Sequence, residues 1–580
     1  MRAGRGHQLV ESGRFDGSLP AAIVVAIFAV VFILLTTISY TQKSAVWDEP
    51  IHIADGYVSL VAQDFRVDPE HPPFLRMWAA LPLLGLQPRF TTAVIDATPP
   101  SLWARSPFQF GGRFLYQDND ADRLLMRTRF MMVLLGVGLG VLLFVWAREW
   151  LGFWPAVVAL TLFTFEPNIL AHSSLVTTDI GFTCFMFGTL YFIWRMSREP
   201  AAGNVAGLVV FFALAAVSKY SAIVLAPIVV VLLAAAVWRG RLTAAAAAGT
   251  IALITVAAWL AIWAVYGFRW APETAGQWVY AFQNDAFVQQ AEPGLMRVVA
   301  WIDSLHLLPN AYSQGFLFGQ AKSVRPEFFA GEFGQHGWWS YFPVAIAIKT
   351  PIAFLALAAI GAVVAIARRR GLDGFGVFCV IAPLTLFLFA AMTSTLNIGV
   401  RHVLPIYPLM MLLAGVAARE ALTARATLWR GALVAVVAAG VLETARVYPD
   451  NLTFFNALAG GPSGGGAYLT DSNLDWGQDL KPLKRWMDAN QVSHINLAYF
   501  GTASPVYYGI HCTLLPGATA YGGGATVQLP GYVAISDTVL NGVYLGERER
   551  AFYQPFKGRT PTASIGNSIH VFWVDHPWWQ

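Results

Sequence analysis

Apolar runs of membrane-spanning length recur along this chain and constrain its fold more than any other feature. The first covers residues 19–40, and others lie near residues 125–147, 152–170, 178–195, 204–218, 219–238, 243–267, 343–367, 374–393, 398–417 and 430–447. A helix needs about 20 apolar residues to cross a bilayer. The runs therefore predict an all-α polytopic membrane protein with about 11 transmembrane helices.

The composition agrees with this class. Hydrophobic residues make up 56% of the chain and charged residues only 12%, whereas a soluble domain carries about 25% charged residues. The net charge of +4 over 580 residues is too small to indicate nucleic acid as a partner. We therefore expect membrane lipids, and no nucleic acid, among the partners.

Basic residues in the short loops predict the orientation, because cytoplasmic loops are enriched in Lys and Arg. If the amino terminus is cytoplasmic, the arginines of the short cytoplasmic loops are Arg148, Arg195, Arg198, Arg239, Arg241, Arg368, Arg369, Arg370, Arg419, Arg425 and Arg430. The first run has no small-residue cleavage site, so we interpret it as a retained span. An odd number of spans then places loops 41–124 and 268–342, and the carboxyl-terminal part, outside. In the first loop, residues 51–60 and 75–84 have apolar faces that predict two short helices lying on the membrane. The aromatic and amide side chains of the second loop suit sugar or lipid-headgroup binding, and an aromatic interfacial belt with a small loop core is the alternative.

The chain divides into a membrane module, residues 1–447, and a carboxyl-terminal part, residues 448–580. The second part has a helical segment at 478–490 and alternating apolar stretches at 494–500, 531–535 and 569–574, which predict a small α/β domain outside the membrane. Its segment 471–479 imitates part of a calcium loop, but no closing Glu follows at the expected spacing. Capping of the following helix by Asp475 is the favoured interpretation.

Charged residues gather at one predicted membrane face. The first outer loop holds Asp48, Glu49 and His52, then Glu70 and His71 before a stiffening pair of prolines. Carboxylates held in this way suit a general base or a metal site, and exposed loop charges with a helix cap are the alternative. The same face receives Glu166, His172, Asp179, Lys219, Asn397, Arg401 and His402. Snorkelling explains one such cation, but a whole set on one face indicates function.

Taken in order, these motifs resemble bacterial members of the GT-C glycosyltransferase superfamily. More narrowly, they resemble the branch of dolichyl-phosphate-mannose protein mannosyltransferases and aminoarabinose lipid A transferases. The residues that carry the resemblance are Asp48-Glu49, His71 with the prolines at 72–73, residues 166–168, 171–173 and 177–179, Lys219, and residues 397–405. The resemblance implies a GT-C-like fold in the bacterial inner membrane, with a cytoplasmic amino terminus and a periplasmic carboxyl-terminal domain.

The resemblance also implies the activity. An inverting transferase of this kind moves a sugar from a polyprenyl-phosphate carrier to a hydroxyl of a protein, lipid or glycan at the outer face. We expect Asp48 to act as the base, with Glu49 holding it or the acceptor. Lys219, Arg401 and His402 are expected at the donor phosphate.

The remaining candidate residues are expected to bind a metal, the phosphate, the acceptor or the sugar. Glu70, His71 and Asp179 are expected to hold a divalent metal, Mg, Mn or Zn, or to orient the phosphate. Candidates for acceptor or sugar binding are His52, Glu166, His172 and Asn397.

The chain departs from the family in two places. Residues 74–76, Phe74, Leu75 and Arg76, stand where the mannosyltransferases have a Leu-Gly-Lys-like run, and loop 268–342 shows no β-trefoil insert. The alternative functions are a transporter or flippase and a non-catalytic binder of lipid-linked sugars. Transporters place ionisable groups within their spans and often show internal repeats, whereas here the charges gather at one face.

Overall fold

The computed structural model describes residues 18–96, 106–367, 371–517 and 527–578. Up to residue 445 its helices are α1 (Ser18–Thr41), α2 (Glu49–Val61), α3 (Phe74–Ala80), α4 (Ala93–Asp96), α5 (Ser106–Tyr116), α6 (Ala121–Leu151), α7 (Phe153–Thr164), α8 (Pro167–His172), α9 (Asp179–Arg198), α10 (Ala202–Ala216), α11 (Leu225–Trp238), α12 (Ala244–Val265), α13 (Ala286–Ala291), α14 (Pro293–Ser304), α15 (Asn310–Ala321), α16 (Tyr341–Lys349), α17 (Ile352–Ala367), α18 (Gly374–Met392), α19 (Tyr407–Thr423) and α20 (Thr427–Ala445). Every predicted apolar run contains a helix, which confirms the polytopic helical class.

The structure has fewer helices of membrane-spanning length than the sequence predicts. Within the described residues, 7 helices are long and apolar enough to cross a membrane, or 8 if the bent pair α16 and α17 forms one span. The predicted run at 204–218 contains the shorter apolar helix α10, and the run at 152–170 contains the shorter apolar helix α7 and the start of α8. Helix α9 has 20 residues but carries Asp179, Arg195 and Arg198.

One pair of predicted cytoplasmic loops meets in the structure. Arg241, after α11, lies 2.7 Å from Asp373, just before α18. The two helices therefore place these ends on the same side of the bundle. Arg368, Arg369 and Arg370 lie outside the described residues, and the orientation of the termini stays a prediction.

Loop 41–124 forms the short helices α2 to α5. The two helices predicted there are present as α2 and as α3 with a short 3-10 continuation to Gly85. The expected interfacial position of α2 is wrong, because its residues 49–59 are all buried. Arg76 of α3 pairs with Asp55 of α2 at 3.1 Å and also with Asp68. The departure from the family motif at residues 74–76 thus supplies a buried ion pair.

Loop 268–342 contains α13, α14 and α15 and the antiparallel strands β1 (Glu327–Phe329) and β2 (Glu332–Gly334). Its aromatic residues form a small core of their own with residues of the first loop and of α12, including Phe65, Tyr266, Tyr280, Phe282 and Phe318. This packing accounts for many of the rings that the sequence offered as sugar or headgroup ligands.

The carboxyl-terminal part contains α21 (Leu480–Ala489), β3 (Ile495–Ala498), β4 (Cys512–Leu514), β5 (Gly531–Ser536), α22 (Asp537–Asn541), α23 (Glu547–Tyr553), β6 (Ala563–Ile565) and β7 (Ile569–Val574). The strand order is β4-β3-β5-β7-β6, with β3 parallel to β4 and β5, and β7 antiparallel to β5 and β6. The predicted α/β character is confirmed, and the boundary at residue 448 stays a prediction.

The predicted cap of α21 is wrong. The side chain of Asp475 accepts a hydrogen bond from the backbone N–H of Thr538 at 2.9 Å, and the residue that precedes α21 is Asp479. Asp475 therefore joins the segment before α21 to the start of α22.

Candidate functional site

A cavity of about 500 Å³ opens where the first outer loop, the segment after α15, the start of the α19 region and the carboxyl-terminal part meet. It has both charged and aromatic walls. Its lining includes Trp47, Asp48, His52, Asp68, Glu70, His71, Phe108, Lys219, Lys322, Arg325, Arg401, His402, Asp471, Trp476, Phe500 and Tyr544. The cavity thus brings together residues from five distant parts of the chain.

Asp48 is held at the cavity by backbone contacts with the carboxyl-terminal part. The N–H of Trp47 donates to the carbonyl oxygen of Trp476 at 2.9 Å, and the hydroxyl of Thr502 donates to the carbonyl oxygen of Trp47 at 2.7 Å. Asp48 directly precedes α2, and its side chain is 24% exposed. A carboxylate in this position is fixed in place and open to the cavity.

Arg401 is the nearest cation to Asp48. Its Nη1 lies 3.3 Å from Oδ2 of Asp48 and 3.7 Å from Oδ2 of Asp179. The guanidinium also stacks 4.2 Å from the ring centroid of Trp476. Because Arg401 has several fixed partners, it sets the orientation of Asp48 and adds positive potential to the cavity.

Glu49 lies outside the cavity lining, unlike Asp48. Its side chain is fully buried and faces Arg129 of α6, with an ion-pair distance of 2.5 Å. It also accepts hydrogen bonds from the N–H groups of Val46 at 2.9 Å and Val176 at 3.1 Å. Through these contacts Glu49 holds the first outer loop in place. They do not support contact between Glu49 and the acceptor.

Lys219 stands at a break in the membrane helices. It has an extended backbone between α10 and the 3-10 turn Tyr220–Val224. Its Nζ lies 2.5 Å from Oδ1 of Asp179 at the start of α9. Lys219, Asp179 and Arg401, which the sequence places on one membrane face, are thus joined by direct contacts.

The histidines of the first loop lie side by side in the cavity wall. The rings of His52 and His71 are 5.6 Å apart, and Nδ1 of His52 lies 2.7 Å from the carbonyl oxygen of Val176. Burial lowers the pKa of His71, and neighbouring His52 and Lys219 lower it further. His71 is therefore neutral at pH 7.

A second cavity of about 490 Å³ shares a charged wall with the first. The shared residues are Glu70, His71, Lys219, Lys322, Arg325, Leu396 and His402. The remaining lining is mixed. Its apolar side chains come from the 3-10 turn after Lys219 and from α16 and α18, including Ile223, Val224, Phe342, Phe387 and Ala390, and its polar side chains include Gln320 and Thr393. Ile223 and Phe389 beside this opening are strongly exposed.

Two cations of the shared wall were not predicted from the sequence. Lys322 lies 2.8 Å from Glu70. The Nε of Arg325 is buried with no hydrogen-bond partner among the described residues. Both lie in the segment between α15 and β1, where no motif marks them.

Aromatic rings form the opposite wall. Trp47 stacks on Phe500 with ring centroids 4.7 Å apart, and Phe500 stacks on Tyr544 at 5.5 Å. The Tyr544 hydroxyl donates to Asp471, and burial raises the pKa of that carboxyl. The carboxyl-terminal part therefore closes this side of the cavity.

Three predicted sugar or acceptor ligands line neither cavity. Glu166 accepts the backbone N–H of Ile169 at 2.6 Å and so caps α8. His172 is fully buried, and Asn397 accepts the N–H of Trp338 at 2.8 Å. The placement of these residues supports a structural role, whereas His52 does line the first cavity.

The metal expected from the resemblance has no fitting site. In the ranges that the structure describes, no group of three or more His, Cys, Asp or Glu side chains is arranged to hold a metal ion. Glu70 pairs with Lys322 and Asp179 with Lys219. Both carboxylates therefore have cationic side chains as partners.

One protein-family model matches part of this chain. The model described as dolichyl-phosphate-mannose-protein mannosyltransferase matches residues 123–263, which extend from α6 into α12. This match confirms the resemblance that the motifs predicted. No curated protein matches the chain by sequence.

Solved structures of similar architecture were also found. The crystal structure of ArnT from Cupriavidus metallidurans bound to undecaprenyl phosphate has 15% identity and a TM-score of 0.44, over 94% of this chain and 97% of that chain. The oligosaccharyltransferase of Archaeoglobus fulgidus in the apo form has 12% identity and a TM-score of 0.48, over 97% of this chain and 75% of that chain.

Proposed function

We propose that this chain is a GT-C glycosyltransferase that moves a sugar from a polyprenyl-phosphate carrier to an acceptor hydroxyl at the outer face of the bacterial inner membrane. The observation that carries the proposal is the pair of adjoining cavities. One contains the carboxylate of Asp48, the other has an apolar side formed by the 3-10 turn after Lys219 and by α18, and the wall between them is rich in cations. The family match over residues 123–263 supports a lipid-phosphate donor.

Asp48 is the proposed base. A hydroxyl is a weak nucleophile until its proton is removed, and a positioned carboxylate does this during attack. The acceptor oxygen forms a bond to the anomeric carbon as the bond from that carbon to the phosphate oxygen breaks. The proton passes to Asp48, the electron pair leaves with polyprenyl phosphate, and direct displacement inverts the anomeric carbon.

The cations of the shared wall, together with Arg401 of the first cavity, stabilise the departing phosphate in this proposal. Negative charge grows on the phosphate oxygens as the glycosidic bond breaks, and fixed cations lower the energy of that state. Lys219 and Arg401 are held by Asp179, which keeps their positions fixed. The buried Nε of Arg325 has no hydrogen-bond partner in the part of the chain that the structure describes, so it offers the phosphate a donor that needs no ion pair to break.

The second cavity suits the first isoprene units of the donor. Its apolar residues lie in the 3-10 turn after Lys219, in α16 and in α18, where they can pack against a chain that enters from the bilayer. A donor with its phosphate at the shared wall would place its sugar toward Asp48. The acceptor, a protein, lipid or glycan, would enter the first cavity past the ring of Trp47.

The test is donor turnover by purified protein in nanodiscs. A panel of radiolabelled polyprenyl-phosphate sugars is incubated with a membrane extract as acceptor, and free polyprenyl phosphate is measured. We expect one donor to be consumed, and we expect Asp48→Asn to lower the rate by about 100-fold or more while donor affinity is retained.

The matched control is Asp488→Asn, a change of an exposed carboxylate that pairs with Lys484 on α21. It should leave turnover unchanged. Equal turnover by the wild type and Asp48→Asn would contradict Asp48 as base. Movement of an intact labelled lipid between leaflets without release of polyprenyl phosphate would instead support a flippase.

A further inference from the structure

Helix α14 is apolar on two faces, and the described residues cover one of them and leave the other exposed. Leu295, Met296 and Val299 pack against the core of loop 268–342. A second strip, which we call the α14 strip, is exposed at the spacing of a helix face. It consists of Val298 (52% exposed), Trp301 (59%), Leu305 (54%) and the following Leu307 (40%).

The α14 strip continues a surface that already faces lipid. The indole N–H groups of Trp259 and Trp263, near the carboxyl-terminal end of α12, donate to the carbonyl oxygen of Leu307 at 2.9 and 3.3 Å. Helix α12 is long and apolar enough to span the membrane. Its exposed side chains, Leu253, Val256 and Leu260, lead along the helix to this contact.

We propose that α14 lies in the surface of the bilayer beside α12, with the α14 strip among the upper acyl chains. Amphipathic helices bury their apolar face about 5–10 Å below the headgroups in this way. Tryptophan favours that depth, and Arg297, exposed one turn before Trp301, reaches the phosphate headgroups from the same face. Lipid is the occupant because the strip is continuous with a spanning helix.

This placement has a consequence for the second cavity. Glu292, the residue before α14, lines that cavity. A helix held in the bilayer surface fixes this part of the rim at the level of the headgroups. Lipid molecules would therefore meet the cavity without leaving the leaflet.

The test measures the depth of single labels on the intact protein in nanodiscs. Cys512→Ser provides the background, since Cys184 and Cys379 are buried. Trp301→Cys and Leu305→Cys are labelled with the environment-sensitive fluorophore NBD, and Glu332→Cys on β2 is the exposed control. The nanodiscs contain phosphatidylcholine with or without a nitroxide on the upper acyl chain.

We expect labels at 301 and 305 to emit at shorter wavelength than the label at 332 and to lose most of their fluorescence to the nitroxide lipid. The label at 332 should keep its fluorescence. Equal emission and equal, small quenching at all three positions would overturn the proposal. Because the fluorescence readout needs no donor or acceptor, it is independent of catalytic activity. Gel filtration of each variant verifies that the variant is folded.

Discussion

At the scale of single residues, Arg325 gives the sharpest prediction for donor binding. Arg325→Ala removes a cation whose Nε is buried without a partner, so little of the protein's own bonding is lost. A hydrogen bond to a charged group contributes about 1.5–3 kcal/mol. We therefore expect the Kd for polyprenyl phosphate to rise roughly 10- to 100-fold, as measured by scintillation proximity with labelled lipid.

The control for this change is Arg485→Ala, which removes an exposed arginine of α21 that lines neither cavity. Its Kd should equal that of the wild type. Unchanged affinity in Arg325→Ala would place the phosphate elsewhere, and recovery in Arg325→Lys would show that charge at this position suffices.

Asp48 and Glu49 show what a motif can and cannot reveal. The sequence predicted an acidic pair with a joint role. In the structure one carboxylate faces the cavity and the other pairs with Arg129. Arg129 lies in another helix, and no local pattern connects it to the pair. Sequence spacing identifies chemically capable residues, whereas their tasks depend on partners far along the chain.

At the scale of elements, the crossing of α17 and α19 depends on a glycine. A Cβ at Gly361 would overlap the backbone oxygen of Leu413, and small residues allow membrane helices to approach this closely. We expect Gly361→Leu to destabilise the protein by about 1–3 kcal/mol or more. Thermal unfolding in detergent, followed by tryptophan fluorescence, measures the loss as a lower Tm.

Gly249→Ala in α12 is the paired control, because no atom lies within 4 Å of the added Cβ. Its Tm should not fall. A wild-type Tm in Gly361→Leu would mean that α17 and α19 do not cross as closely as described.

The β1 and β2 hairpin makes stability depend on pH through Glu327. Burial raises the pKa of this carboxyl to about 7, although N–H groups of Asn397 and Gly337 that donate to it act in the opposite direction. The unfolded chain loses this proton near the ordinary pKa of about 4.3, while the folded protein keeps it to about 7. The contribution of Glu327 to stability is therefore greatest below the unfolded pKa and is lost as pH rises toward 7.

Glu327→Gln keeps an oxygen acceptor but cannot ionise. We expect its Tm to fall less than that of the wild type between pH 5 and about 7, measured over a series of buffers. Glu332→Gln, an exposed change on the neighbouring strand, should follow the wild type. Parallel curves for Glu327→Gln and the wild type would show that this carboxyl titrates normally.

Helix α2 shows why the position of an element in the fold is harder to predict than its presence. The helix itself follows from its sequence, but its apolar face was expected to meet lipid. In the structure α3 and α5 cover it, and Arg76 pairs with its Asp55. Burial by neighbouring elements depends on tertiary packing, which periodicity alone does not encode.

At the scale of the whole molecule, the carboxyl-terminal part completes the site. Lys43, just after α1, pairs with Asp479 at 2.6 Å and with Asp450, and the backbone of Trp47 pairs with Trp476. The sequence predicted the α/β character of this part from alternating strands. Its contact with Trp47, the residue before Asp48, could not be predicted, because contacts over more than 400 residues have no local signal.

The measurement that tests the central claim most directly is a cryo-electron microscopy structure of the protein in nanodiscs with a polyprenyl phosphate. The account predicts phosphate density within hydrogen-bonding distance of Arg325 and Lys219 at the shared wall, with the lipid chain in the second cavity. Phosphate density away from this wall, with the second cavity lacking lipid, would contradict it.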